Sequence, residues 1–395
     1  MLNSQDQQAL ATIREFLDDL AYAYKNYRVI PGHDTLIFPD FAYLQNLLKN
    51  FNPVYRLIFT LFRQGHAAEE WVLREVFPAQ VVDAMTSTGL LVKNERGYWH
   101  TPGLAIIPIE GLYLAVSLPP HYPTAPTTKQ PVYLGAESIW LTHAIPPRLN
   151  NRHVLDVCAG SGIQGLICAA RGAAKVVGLE KSEFAVSVAR FNAGLNGFQN
   201  IVEVRQSDLF SALGAEERFD FVISNPPFMP VMEDVDYPIC GTGGSDGTRI
   251  LRGIYKDLAK FLADDGKGVM FCHALGGQYA ITFNNEVLQR FAKEEGLAVS
   301  AYVTDKSPIR EYMDRFLEGN LKNTCPEIPA ELRKQKIETW RQELSERNVP
   351  AEYLYDQIIR FSKDSVAPGL RTIPVYDPRL TDPLYKRIAV AQKGT

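Results

Sequence analysis

The residues best suited to chemistry are Asn225, Pro226, Pro227 and Phe228, which follow an apolar run at 219–223. Phe, Val and Ile in that run favour a buried strand, and two consecutive prolines must end it because they lack an N–H and have a fixed φ. The strand would then present the Asn225 amide oxygen and the Pro226 carbonyl beside the ring of Phe228. Two acceptors and an aromatic face suit a planar NH2 group. The alternative is an ordinary turn, since Asn-Pro often begins turns.

A second candidate site lies upstream, in a glycine-rich turn. Gly160-x-Gly162-x-x-Gly165 matches the dinucleotide-binding fingerprint, and Glu180 stands where a ribose-binding acid belongs. Glycines allow a sharp turn and a close approach of a ligand to the start of a helix. This pattern makes an NAD(P)-dependent oxidoreductase a competing interpretation.

Two acidic residues favour a different ligand in the same place. Asp156 lies four residues before the first glycine, where a carboxylate suits a cation better than a pyrophosphate. Asp208 follows the third predicted strand, where it can accept a hydrogen bond from an adenine amino group. Either residue could instead be structural, Asp156 as a helix cap and Asp208 as a solvated acid at a strand end.

These side chains need a sheet whose strands end at one edge, and the sequence predicts such a sheet. Strands and helices alternate at the spacing of parallel βαβ units, so the fold class is α/β with a doubly wound sheet. The predicted strands are 153–158, 175–179, 201–205, 219–223, 268–273, 298–303 and a last strand at 387–391. Charged helical segments at about 307–366 form a predicted insertion before that last strand.

The segments before residue 132 form a separate unit. Residues 1–118 read as helices followed by two hairpins, a winged-helix-like domain, and the Pro- and Thr-rich stretch 119–131 reads as a linker. Residues 132–395 then form the domain that carries both candidate sites. For the N-terminal domain we expect a role beside the substrate or in a homodimer.

Composition limits the partners and the compartment. Net charge is −4 and residues 1–130 hold 10 Lys or Arg against 12 Asp or Glu, which makes nucleic acid an unlikely partner. No apolar run is long enough to cross a membrane and no signal peptide is recognised at the start, so we expect a cytoplasmic protein. Five scattered cysteines without Cys-x-x-Cys spacing predict reduced thiols and no metal site.

Taken in order, these motifs resemble the class I S-adenosylmethionine-dependent methyltransferases that carry an (Asn/Asp)-Pro-Pro-(Tyr/Phe) loop. The resemblance covers about residues 130–305 and is greatest to the small-domain branch that includes the release-factor glutamine N-methyltransferases. Gly243-Gly244-Ser245-Asp246-Gly247 resembles a segment that this branch carries after its Pro-Pro loop. Cys158 departs from the pattern, because many relatives have a glycine there.

The resemblance implies a Rossmann-like sheet of seven strands, S-adenosyl-L-methionine as the cofactor, and a role for each motif. Asp156, Gly160 and Gly162 would line the methionine end of the cofactor. Glu180 would bind the ribose and Asp208 the adenine. The residues implied beside them on the cofactor are Ala159, Lys181, Leu209 and Asn225. Asn225, Pro226 and Phe228 would act as the catalytic residues that hold the acceptor nitrogen.

The predicted activity is therefore N-methylation of a planar or amine nitrogen. We expect a small-molecule substrate ahead of a protein glutamine, and both ahead of a nucleobase, because the insertion at 307–366 could form a lid. An alternative of another class is a non-catalytic winged-helix regulator that senses the cofactor. His273, at the end of the fifth predicted strand, is expected to be a satisfied structural histidine, with a position facing the site as the alternative.

Overall fold

The computed structural model describes residues 2–29, 46, 48–49, 51–119, 131–317, 319, 321–322, 325, 327–347, 349–363 and 368–375. The described residues of the N-terminal part begin with helices, and β1 and β2 form one two-stranded sheet while β3 and β4 form another. These elements are α1 Gln7–Asp19, α2 Tyr22–Val29, α3 Pro53–Gln64, α4 Glu70–Val76, α5 Ala79–Ser87, β1 Val92–Lys93, β2 Trp99–His100, β3 Leu104–Ile109 and β4 Leu112–Ser117. The predicted helices and hairpins are thus present, but the resemblance to a winged helix stays a prediction, and a predicted helix at 39–49 lies mostly outside the described residues.

The remaining elements build the sheet that carries the candidate sites. They are α6 Ala136–Ala144, β5 His153–Val157, α7 Ile163–Ala170, β6 Lys175–Glu180, α8 Glu183–Leu195, β7 Val202–Gln206, β8 Phe219–Ser224, α9 Arg249–Phe261, β9 Leu262–Gly276, α10 Gln289–Glu294, β10 Ala298–Pro308, α11 Ile309–Glu311, α12 Ala330–Glu346, β11 Tyr353–Ser362 and β12 Gly369–Pro374. Short π-helical segments, Asn284–Leu288 and Tyr312–Leu317, precede α10 and follow α11.

The described residues form one mixed sheet of eight strands in the order β12-β10-β11-β9-β8-β5-β6-β7. Strands β5 to β9 run parallel to one another, and β11 lies antiparallel between β9 and β10. The first five predicted strands and the alternating helices are confirmed, because each apolar run is short, rich in β-branched residues and bounded by turns. Apolar side chains from both faces, such as Val154 and Leu155, pack into separate core clusters, as expected for a sheet covered on both sides.

Two details of the predicted sheet are wrong. The sheet has eight described strands rather than seven, and β11 lies inside 307–366, the range predicted to be a helical insertion. The residues of β11 alternate between buried and partly exposed side chains, which is the period of a strand, but the charged helix before them obscured that pattern. The real insertion is shorter and contains α11 and α12. The strand predicted at 387–391 lies outside the described residues.

The N-terminal part packs directly on the sheet domain through helix α8. The side chain of Asn192 is fully buried; its Oδ1 accepts from Ala115 N at 2.7 Å and its Nδ2 donates to Ala115 O at 3.0 Å. The same Nδ2 donates to Ser161 O, 2.9 Å away, in the glycine-rich turn. One amide therefore joins an edge of β4 to the loop after β5. No helix among the described residues combines the length and the apolar character that a membrane crossing demands.

Candidate functional site

The glycine-rich turn after β5 bends through left-handed backbone conformations. The φ angles are 62° at Cys158, 55° at Gly160 and 81° at Gly162. A side chain on Gly160 would meet no atom within 4 Å, so the backbone borders open space there. Helix α7 begins directly after Gly162. This geometry leaves room for a ligand at the start of a helix, and it explains why a glycine would be favoured at position 158 as well.

Asp156 lies at the end of β5 beneath this turn. Its Oδ2 accepts from Gly165 N at 2.9 Å, which confirms that the residue caps the start of α7. Its Oδ1 is buried and has no hydrogen-bond partner among the described residues. Burial raises the pKa of Asp156 to about 7, and the nearby Glu180 carboxylate adds to the effect. An unpartnered, buried carboxyl oxygen is the group that a cation would stabilise most.

Glu180 ends β6 on the far side of the same turn. Its Oε2 accepts from Gly160 N at 2.9 Å and its Oε1 from Ser182 N at 2.8 Å. Burial raises its pKa, and the hydrogen bonds from backbone N–H groups oppose that rise. The structure therefore brings Asp156, Gly160 and Glu180 together at one edge of the sheet.

Asp208 and Lys181 lie at the rim of this group and are exposed. Their side chains form an ion pair, with Lys181 Nζ 2.7 Å from Asp208 Oδ2. Leu209 follows Asp208 with a φ of 50°. Ala159 lies within the turn itself, where its N–H donates to Leu179 O at 3.0 Å. These four predicted site residues thus border the same edge, two of them at its solvent side.

The loop after β8 leaves the sheet next to the glycine-rich turn. Ser224 Oγ donates to Val157 O at 2.6 Å and so joins the last residues of β8 and β5. Asn225 Nδ2 donates to Ser138 Oγ at 3.0 Å, whereas Asn225 Oδ1 is buried without a partner among the described residues. The hydrogen bond to Ser138 fixes the orientation of the amide, and its oxygen is the atom that remains without a partner among the described residues.

The ring of Phe228 packs at the other side of this loop. It lies 5.1 Å from the ring of Phe271 and 4.2 Å from the ring of His273, both on β9. Pro226, which lies between Asn225 and Phe228 in the sequence, is buried. Asn225, Pro226 and Phe228 thus lie together at the carboxyl edge of β8, as the sequence predicted.

The insertion between β10 and β11 covers the loop that follows β8. Trp340 Nε1 on α12 donates to Ser245 O at 2.9 Å, and Arg347 donates to Ser245 Oγ at 2.6 Å. Tyr312 OH donates to Pro230 O at 2.9 Å. The Gly243–Gly247 segment therefore connects the Asn225 loop to α12, and Asp246 in it caps Thr248 N at 2.9 Å.

Sequence reasoning missed a group of polar residues around Asn225. Glu137 on α6 is buried, and burial raises its pKa while hydrogen bonds from its own backbone, Ser138 and Asn225 oppose the rise. His273 Nε2 lies 3.0 Å from Asp356 Oδ1 on β11. The sequence carries no signal for Glu137, and Asp356 could be placed beside His273 only once β11 and its register were known.

The residues at the carboxyl edge fit the cofactor that the resemblance implies. Asp156 offers an unpartnered carboxyl oxygen to a cation, Gly160 offers open space at a helix start, and Glu180 offers a carboxylate to hydroxyl groups. Nothing in this set would repel a cationic nucleoside. A pyrophosphate would instead meet two carboxyl groups, so the dinucleotide interpretation fits the site less well.

Comparison with known proteins gives matches for the sheet domain. The family model described as methyltransferase small domain matches residues 135–239. A protein of Methanocaldococcus jannaschii, named as an inferred protein N5-glutamine methyltransferase, is 30% identical over 169 residues, which cover 42% of this chain and 80% of that protein. The release factor glutamine methyltransferase of Mycolicibacterium smegmatis is 32% identical over 123 residues, or 29% of this chain and 43% of that enzyme. This chain therefore matches less than half the length of the mycobacterial relative.

Among solved structures, a T. thermophilus 16S rRNA N2 G1207 methyltransferase in complex with AdoMet and guanosine is 20% identical. The match covers 64% of each chain, with a TM-score of 0.33. The sequence-based expectation that ranked a small-molecule substrate ahead of a protein is wrong, because both curated relatives are named for glutamine in a protein. That expectation relied on the insertion at 307–366 as a lid over the site, but an insertion near a site does not define the size of the substrate.

Proposed function

The chain belongs to the S-adenosylmethionine-dependent methyltransferases with a methyltransferase small domain, and from that premise we propose that it methylates the side-chain amide nitrogen of a protein glutamine. The single observation that carries the proposal is the buried, unpartnered Asn225 Oδ1. An acceptor oxygen without a partner in the interior costs stability unless a ligand supplies a donor. A primary amide supplies such a donor. The names of both curated relatives support glutamine as its source.

We assign the cofactor to the turn after β5. S-adenosylmethionine supplies a methyl group activated by its positive sulfonium. Asp156 and Glu180 would bind its cationic and hydroxyl groups respectively, with Gly160 leaving space between them. Asp208 and Lys181 would border the adenine at the exposed rim.

The acceptor amide would be held by the loop after β8. A glutamine amide nitrogen is a poor nucleophile because its lone pair is delocalised into the carbonyl. Asn225 Oδ1 would accept one N–H and the Pro226 carbonyl the other, so that the lone pair is directed away from the loop. Acceptors placed in advance also stabilise the positive charge that develops on the nitrogen. Alignment of this kind supplies much of the acceleration of a bimolecular step.

The rim of the site suits a macromolecular substrate. Tyr279, which follows β9, is 96% exposed, and Tyr133, which precedes α6, is 56% exposed. Exposed aromatic side chains are enriched at protein interfaces. The net charge of −4 gives no general attraction to nucleic acid, so a nucleobase acceptor has less support.

The test uses peptides that contain one accessible glutamine, each paired with the same peptide carrying Asn or Glu. We expect methylation of the glutamine peptide only, seen by mass spectrometry as the addition of one methyl group to the glutamine side chain. Asn225→Ala should lower kcat by about 100-fold or more, the scale for losing one preorganised partner, with the affinity for S-adenosylhomocysteine little changed.

Asn200→Ala is the matched control, because Asn200 is exposed in the loop before β7. It should leave turnover unchanged. Methylation of the Asn and Glu peptides alike, or near-normal turnover of Asn225→Ala, would contradict the proposal. Thermal stabilisation by S-adenosylhomocysteine but not by NAD(H) would test the cofactor independently.

A further inference from the structure

His273 and Asp356 form a partly buried pair beside the candidate acceptor site. They are direct partners in the antiparallel pairing of β9 and β11. His273 Nε2 lies 3.0 Å from Asp356 Oδ1, and the two side chains are only 12% and 22% exposed. A carboxylate at this distance would favour a proton on Nε2 and so the tautomer of the neutral ring that leaves Nδ1 unprotonated.

The other ring nitrogen of His273 is not satisfied. Nδ1 is buried and has no hydrogen-bond partner among the described residues. In the tautomer that Asp356 selects, this nitrogen carries a lone pair. Among the described residues, the histidine expected to be structural and satisfied therefore has one nitrogen without a partner.

The position of the ring relates this nitrogen to the Asn225 loop. The centroid of the His273 ring lies 4.2 Å from that of Phe228, three residues after Asn225. Asn225 Oδ1 and His273 Nδ1 are thus two buried acceptors without partners, at the ends of the adjacent parallel strands β8 and β9. Two such atoms near one edge suggest one ligand for both.

We propose that His273 is the group that takes the proton released by the methylated nitrogen, with Asp356 as the positioning residue. The inference rests on the proposed function. When the nitrogen lone pair has bonded to the methyl group and the S–CH3 bonding pair has stayed on sulfur, the nitrogen is a cation with two hydrogens. One of the two protons then leaves its acceptor in the Asn225 loop and moves to His273 Nδ1, and the neutral N-methylamide is left with its other N–H still held by the loop. The imidazolium, with its Nε2–H still on Asp356, returns the proton to solvent.

Acidic groups from three elements face this histidine and would stabilise the imidazolium. They are Asp356 on β11, Glu137 on α6 and Asp305 on β10. The Asn225 and Pro226 oxygens are poor bases, since they can accept a hydrogen bond but not hold a proton near neutral pH. A histidine is the side chain suited to that task.

The test compares His273→Asn and Asp356→Asn with the wild-type enzyme, on the glutamine peptide. His273→Asn keeps a polar side chain but no base, and kcat should fall by about 100-fold or more, the scale for losing a general base. The KM for the peptide should change by less than about threefold. The wild-type kcat should fall as the pH is lowered, whereas the His273→Asn rate should be independent of pH over the same range.

A measurement on the cofactor-free protein separates this role from a structural one. Nitrogen-15 NMR of the wild-type protein, recorded at a pH where the His273 ring is neutral, should show the proton on Nε2 and none on Nδ1. Asp356→Asn should yield a mixture of tautomers and a smaller loss of kcat. Peptide binding to cofactor-free His273→Asn should match the wild type, and an unchanged melting temperature would exclude misfolding.

The two proposals fail in different ways. An unchanged kcat or an unchanged pH profile in His273→Asn, with glutamine methylation intact in the wild type, would overturn this inference alone. A proton on Nδ1 in the wild-type protein would overturn it even if the variants were too unstable to assay. Absence of any glutamine methylation by the wild type would overturn the proposed function and this inference together.

Discussion

Asp156→Asn should change how the stability of the protein depends on pH. Burial raises the pKa of this carboxyl from the ordinary value of 3.8 to about 7 in the folded chain. At a pH between those two pKa values, the Asp156 carboxyl keeps its proton in the folded chain but has lost it in the unfolded chain. The folded state thus binds more protons, and the free energy of unfolding falls as pH rises through this window.

The magnitude follows from the size of the shift. One pKa unit corresponds to about 1.4 kcal/mol, so the full shift lowers stability by on the order of 4 kcal/mol once the pH is above about 7. An asparagine cannot ionise, and its amide oxygen can still accept from Gly165 N in place of Asp156 Oδ2. The free energy of unfolding of the variant should therefore rise relative to that of the wild type by about 1.4 kcal/mol for each pH unit between about pH 5 and pH 7.

The assay is urea unfolding of both proteins without cofactor, followed by circular dichroism across that range. Asp83→Asn is the control, since it removes the same charge from a side chain that is 65% exposed. Its free energy of unfolding should run parallel to that of the wild type. Parallel curves for Asp156→Asn and the wild type would refute the argument, because they would mean that Asp156 ionises as readily in the folded chain as in the unfolded one.

Three further substitutions test the turn after β5 and the cofactor site proposed there. Cys158→Gly should raise the free energy of unfolding by about 1 kcal/mol, because a φ of 62° costs a residue with a side chain about 1–2 kcal/mol and costs glycine little; a lower urea midpoint would contradict this. Glu180→Gln should weaken the binding of S-adenosylhomocysteine in calorimetry by about tenfold, the scale of a lost hydrogen bond to a charged group. Asp208→Asn should weaken it less, because Asp208 is exposed and already paired with Lys181, and an equal or larger loss would count against the assignment.

Local signals made the centre of the fold predictable from the sequence. The strand β8 must end before Pro226 and Pro227, and two of the three residues with a positive φ in the turn after β5 are glycines, Cys158 being the third. Both features depend on a few adjacent residues, and both lie at the carboxyl edge of parallel strands, where binding sites form. The positions of Asn225, Asp156 and Glu180 could therefore be predicted together.

Features that depend on distant pairing could not be predicted. Strand β11 joins the sheet between β9 and β10 only through residues far away in sequence, and nothing local sets its antiparallel register. The partner of His273 depends on that register. The burial of Glu137 likewise follows from the packing of α6 over the Asn225 loop rather than from its neighbours in sequence.

Asn192 has a consequence for any attempt to divide the protein. Its amide makes the hydrogen bonds to β4 that a neighbouring strand would make, and it also holds the carbonyl of Ser161 in the turn after β5. A chain trimmed to residues 135–239, which match the family model, would keep only the hydrogen bond of this amide to Ser161 and would expose the amide to water. The first hundred or so residues are therefore better regarded as an integral part of the enzyme's fold than as a separable domain.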